Sequence, residues 1–188
     1  RRPPRSTLFP YTTLFRSRPE QCVRSDMSEF EISEMSLGSG IIGMSPLPGA
    51  KGDYATEMAA WLQWKPDAVL SIIGQAEMKK LGSADIPDDL RNENIQWLHF
   101  PVHDFQAAPA DRDVLWVPIS QTLHRILNAG GRMIVHCRGG CGRTGMAVLR
   151  LMVEAGEEGE SAMKRLRAVR PCAVETSRQK DWALRGQR

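Results

Sequence analysis

Residues 132–155, "RMIVHCRGGCGRTGMAVLRLMVEA", restrict the fold more than any other stretch of this 188-residue chain. A short branched apolar run ends at Cys137. Three glycines follow within five positions, and then comes a segment that is apolar almost all round (Met146, Ala147, Val148, Leu149, Leu151, Met152, Val153). The run reads as a strand over Arg132–Cys137, and the apolar segment as a helix from Thr144 to about Ala155. A helix with no polar face has to sit inside the molecule. A strand buried on both faces belongs in a parallel sheet with helices above and below.

The rest of the chain repeats this alternation. "GIIGMSPLPG" (Gly40–Gly49) reads as a strand and a Pro/Gly turn. Asp53 is placed to cap a helix running to about Trp64, which Lys65-Pro66 stops, with Met58, Trp61 and Leu62 inward. "AVLSII" (Ala68–Ile73) is a strand covered on both faces. A short helix over Gln75–Lys80 follows, then a polar loop through Pro87. Another strand lies within Ile95–Phe105, ended by Pro101. Val114, Leu115, Ile119, Leu123, Ile126 and Leu127 mark a helix that Gly130-Gly131 ends, with Pro118 in its first turn or bending it. Glu160–Arg170 is amphipathic up to Pro171, and a last helix starts near Thr176. The expected fold is α/β: a single domain with a mainly parallel central sheet flanked by helices on both faces.

Residues 1–26 stand apart. They hold six arginines against Glu20 and Asp26, and "RSTLFPYTTLFRS" (Arg5–Ser17) repeats "TLF" with neither helical nor strand period. This stretch reads as an extension outside the domain at 27–188. It resembles a translated sequencing adapter, with Met27 as the expected start; a basic transit peptide is the rival reading. The remainder has 19 basic and 20 acidic residues, so bulk charge points to no nucleic-acid partner. No run of 18 apolar residues exists to span a membrane. Four irregularly spaced cysteines (Cys22, Cys137, Cys141, Cys172) read as free thiols of a reducing, cytoplasmic setting.

The glycine-rich turn has a chemical reading. Ligand sites in α/β sheets lie beyond the carboxyl ends of strands. Gly139, Gly140 and Gly142 let a backbone curl with its N–H groups inward, which with the helix N-terminus makes an anion cradle over residues 138–143. Arg143 adds a planar fork for two phosphoryl oxygens. The same positive surroundings favour the thiolate of Cys137, the nucleophilic form. Nucleophile, cradle and clamp fall within seven residues.

"HCRGGCGRTG" resembles the His-Cys-x5-Arg-Ser/Thr-Gly signature of cysteine-dependent protein tyrosine and dual-specificity phosphatases, with His136, Cys137, Arg143, Thr144 and Gly145 matching. The layout over Gly40–Arg185 is similar to bacterial relatives of kinase-associated phosphatase. The resemblance implies a phosphocysteine intermediate, a general acid on an upstream loop, and phosphate bound by Arg138, Gly139, Gly140, Cys141, Gly142 and Arg143. In "PVHDF", Asp104 takes the acid's place, with Asp111 and Asp113 as fallbacks. Asp104 would then return as a base, Thr144 would assist breakdown of the intermediate, and Gln179 in "VETSRQ" would orient water. His136 fits a buried structural role, and His99, His103 and His124 lack ligand spacing.

Substrates implied are phosphorylated proteins or small phosphomonoesters, with no cofactor and no metal. Cys141 is a candidate redox partner for Cys137, as is Cys172. A rhodanese-like sulfurtransferase and a non-catalytic phospho-binding module are the alternatives. A zinc site from His136, Cys137 and Cys141 would lack a fourth ligand. Oligomeric state is not encoded in any of these signals.

Overall fold

In the computed structural model, residues 30–186 are described; the extension at 1–26, with Cys22, lies outside them. Strand β5 (Arg132–His136) shows why the chain folds as it does. Its alternate residues feed two separate cores: Met133 and Val135 face one, Ile134 the other. The five strands lie in the order β1-β2-β5-β3-β4. Here β1 is Ser33–Leu37, β2 Gly40–Ser45, β3 Ala68–Ser71 and β4 Gln96–His99. β2, β5, β3 and β4 run parallel, and β1 pairs antiparallel with β2 at one edge. The fold is thus α/β with a mixed, mostly parallel sheet.

One face is covered by α1 (Tyr54–Trp64), α2 (Gln75–Lys80) and α3 (Ile86–Asn92), which bring Met58, Trp61, Met78, Ile86 and Leu90 onto Val69 and Ile134. The other carries α4 (Asp113–Asn128), α5 (Gly142–Glu154), α6 (Gly159–Val169) and α7 (Ser177–Leu184). α5 is buried along its whole length except Arg150 and Glu154, as its apolar sequence requires. Asp53 caps α1 by accepting from Thr56 N at 2.8 Å. Thr176 caps α7 in a reciprocal box with Gln179.

Two elements depart from expectation. α3 begins at Ile86, inside the stretch expected to be a polar loop through Pro87, and runs on to Asn92, and the edge strand β1 precedes the first expected strand. In α4 the helix is present, but Val114 (70% exposed) and Leu115 (55%) face outward, while Trp116, Ser120, Leu123 and Leu127 face in. Among the described residues, no helix is long and apolar enough to cross a membrane.

Candidate active site

The turn after β5 is held by its carbonyls. Leu47 N donates to the Arg138 carbonyl (3.1 Å) and Gly145 N to that of Cys141 (2.7 Å). Arg170 donates from Nη2 to the Gly139 carbonyl (3.3 Å) and from Nε to that of Gly140 (3.2 Å). No described peptide is cis. In a trans peptide the next N–H points opposite to the carbonyl. Carbonyls engaged from outside therefore turn the amides of Gly139, Gly140 and Cys141 toward the inner side, while the Gly142 amide donates to the Glu175 carboxylate. Gly140 sits at φ +68, and a Cβ there would lie 2.5 Å from the Ser45 backbone, so the curl requires glycine.

Cys137 emerges at the floor of this turn, only 3% exposed yet lining a cleft of about 320 Å³. Asp104, Phe105, Lys51, Arg138, Gly142 and Glu175 also line it. Arg143, 1% exposed, is gripped from several sides. Its Nη1 and Nη2 donate to the two Glu77 oxygens at 2.9 and 3.0 Å, and Nη1 also reaches the Val102 carbonyl at 3.1 Å. Asp104 Oδ1 is 3.1 Å from Nη2. Burial opposes the guanidinium charge. The Glu77 hydrogen bonds, together with the charges of Cys137, Glu77 and Asp104, outweigh it, so Arg143 is held charged above its ordinary range. The same pairing keeps Glu77 below the usual carboxylate range. Arg143 Nε and Thr144 Oγ1 are buried without a protein partner, and buried donors of this kind call for a ligand.

His136 lies under the turn, fully buried, its Nε2 2.6 Å from Ser71 Oγ and its ring edge-on to Trp61. Trp97 Nε1 donates to the same Ser71 Oγ (2.9 Å), so the serine hydroxyl proton goes to Nε2. Burial pushes His136 down to about 3 and holds it neutral.

The structure thus brings Cys137, Asp104, Arg143 and the 138–142 turn together. Thr144 follows Arg143 within α5. Of the fallback acids, Asp113 is engaged elsewhere, accepting from Trp182 Nε1 at 2.6 Å, and Asp111 lies in a short 3₁₀ turn at Ala110–Arg112 outside the cleft lining. Gln179 is buried beside the turn. Its Oε1 accepts from Glu175 N (2.8 Å) and Thr176 N (3.2 Å). Cys141 and Cys172 form a disulfide, leaving Cys137 as the free thiol among the described residues; the expectation of free thiols fails at this pair. The two sulfurs lie 31 residues apart in sequence with no spacing signal, and only the packing of the α6–α7 segment on the turn unites them. Glu77 and Glu175 are the site residues the sequence reading missed. A larger cleft of about 730 Å³, lined by Ser120, His124, Arg150 and Glu154, contains none of the motif residues.

A family model described as "Polymorphic toxin system, DSP-PTPase phosphatase" matches residues 60–157, about half the chain. That span includes Asp104, Cys137 and Arg143. The chain belongs to the DSP-PTPase phosphatase family. No curated protein matches it by sequence. Solved DSP-PTPase structures are similar over most of its length. Kinase-associated phosphatase, crystallised with its catalytic cysteine replaced by serine, shares 20% identity and a TM-score of 0.74, covering 82% of this chain and 92% of its own. Tk-PTP in its active form shares 23% and 0.60, covering 77% and 88%. A protein tyrosine phosphatase from Leishmania major shares 17% and 0.63, covering 84% and 99%. At these identities the structural likeness speaks for the fold, and the site's chemistry rests on the geometry above.

Proposed function

We propose that this DSP-PTPase family member hydrolyses phosphate monoesters, phosphotyrosine and also phosphoserine or phosphothreonine, through a phosphocysteine at Cys137. The observation that carries the reading is the convergence of Cys137 and Asp104 on one cleft, with Asp104 Oδ1 3.1 Å from Arg143 Nη2. Cys137 attacks phosphorus. Asp104 protonates the departing oxygen, and water then cleaves the S–P bond. Turn amides and Arg143 neutralise the three equatorial oxygens. The unpartnered Arg143 Nε and Thr144 Oγ1 support the presence of an anion at this position.

Steady-state hydrolysis of phenyl phosphate, whose leaving group is poor, tests the assignment. Cys137→Ser abolishes turnover, and Asp104→Asn lowers kcat by ~10²–10⁴-fold. Wild-type rates from the serine variant overturn the nucleophile assignment.

A further inference from the structure

The segment between α6 and α7 supplies a wall of the cleft that this chemistry leaves unused. It is fastened to the turn at three points. Arg170 holds the Gly139 and Gly140 carbonyls, Cys172 is bonded to Cys141, and a Cβ on residue 145 would lie 2.6 Å from Val174 N. The next residue is Glu175, whose carboxylate lines the cleft together with Cys137 and Asp104. A Cβ on residue 142 would fall 2.0 Å from Glu175 Oε2 and 3.0 Å from Gln179 Nε2. Both side chains therefore converge on one spot at the start of α5.

Water that hydrolyses a thiophosphate must have its oxygen aimed at phosphorus and must lose a proton. Gln179 serves only the first need. Its Oε1 is filled by two backbone donors, and its Nε2, held by the Gln106 carbonyl at 3.5 Å, can only donate. Asp104 keeps Oδ1 on Arg143 and is assigned above to the departing oxygen of the first step. Glu175 is the carboxylate that faces the same spot as Gln179 Nε2. Burial, and then the nearby Asp104, push its carboxyl above the ordinary range against the pull of Arg143 and of the Gly142 amide from which it accepts, which strengthens it as a base.

We propose that Glu175 is a catalytic residue of the second half-reaction, its carboxylate taking the proton of the water that attacks the phosphocysteine while Gln179 Nε2 holds that water's oxygen. The inference rests on the phosphocysteine reading above and gives Glu175 the base role that family resemblance assigns to Asp104. In this step an O–P bond forms and the S–P bond breaks. The electron pair returns to the Cys137 sulfur, and the proton passes to Glu175 and on to solvent as phosphate leaves.

Rapid-mixing kinetics with p-nitrophenyl phosphate separate the two half-reactions. Glu175→Gln releases its first equivalent of p-nitrophenolate at a rate within about twofold of wild type, then turns over ~10²-fold more slowly. Phosphate accumulates on the protein, read by intact mass after acid quench. The acidic limb of the kcat profile that Glu175 contributes disappears. Glu175→Asp, which keeps the carboxylate, recovers part of the second step. The proposal is overturned if burst and steady-state rates fall together, if neither changes, or if the Asp and Gln variants behave alike. A Cys137→Ser protein that still gives the burst removes the phosphocysteine reading itself. A wild-type adduct with unchanged partitioning in Glu175→Gln removes only Glu175.

Discussion

At the scale of single residues, Arg143 is the centre of the site and Glu77 is what steadies it. A buried guanidinium with one bidentate carboxylate keeps its fork in a single orientation. Glu77→Gln keeps the shape and removes the charge. It is expected to lower kcat/KM for an aryl phosphate by ~10–10²-fold and stability by about 2 kcal/mol, the lower end for a partly exposed partner of a buried ion. Initial rates and urea midpoints on the same preparation check both. Cys137, Arg143 and Thr144 were legible because the chemistry needs them contiguous, within one turn. Asp104 was legible through its place in "PVHDF". Glu77 was not, because "QAEMKK" looks like a solvated helix face, and its partner lies 66 residues away. Glu175 was hidden for the same reason: its meaning comes from a segment folding back on the turn.

At the scale of elements, the inward face of α4 was readable from Ile119 onward, where Ile119, Leu123, Ile126 and Leu127 pack on the core, but not in its first turn. Leu115 and Val114 are apolar, yet the helix turns Trp116 and Ser120 inward because both donate to Glu154, while Asp113 accepts from Trp182 Nε1. Polar anchors on neighbouring helices set the first turn, and hydrophobicity along one segment cannot reveal them. α3 escaped because "IPDDLRN" is short and polar, with Pro at its start, and β1 because Ser33 puts a polar residue at an inward position. The α6–α7 segment yields a second prediction. Its disulfide closes a sequence separation of 31 residues, worth about 3–4 kcal/mol in the chain-entropy account. Thermal unfolding of Cys172→Ser should show a Tm lowered by several degrees. Reductant should lower the wild-type Tm toward the variant's and leave the variant's unchanged.

At the scale of the whole molecule, the far side of the domain is tied together by one carboxylate. Glu154 accepts from Trp116 Nε1 (2.9 Å), Arg150 Nε (2.7 Å) and Ser120 Oγ, with His124 Nε2 at 3.4 Å. Burial alone would push its carboxyl up. Its donors reverse that and hold it at about 2, against an ordinary 4.5. The folded pKa is depressed, so this contribution is complete above about 4.5 and is lost as pH falls toward about 2. Glu154→Gln is expected to cost about 2–4 kcal/mol at neutral pH, in the range for breaking buried charged networks. The gap in urea midpoint between variant and wild type should close as pH is lowered through that window.

β5 stands in the middle of the sheet, with a parallel neighbour on either side and a core on each face. Amides in such a strand exchange with solvent only when the whole domain opens. The reactive sulfur is carried at the end of that strand, so an alkylating or oxidising reagent reaches it in the native protein down the cleft that it lines. Inorganic phosphate or vanadate seated in the turn should therefore shield Cys137 from iodoacetamide almost completely, while amide exchange along β5 stays as slow as global unfolding.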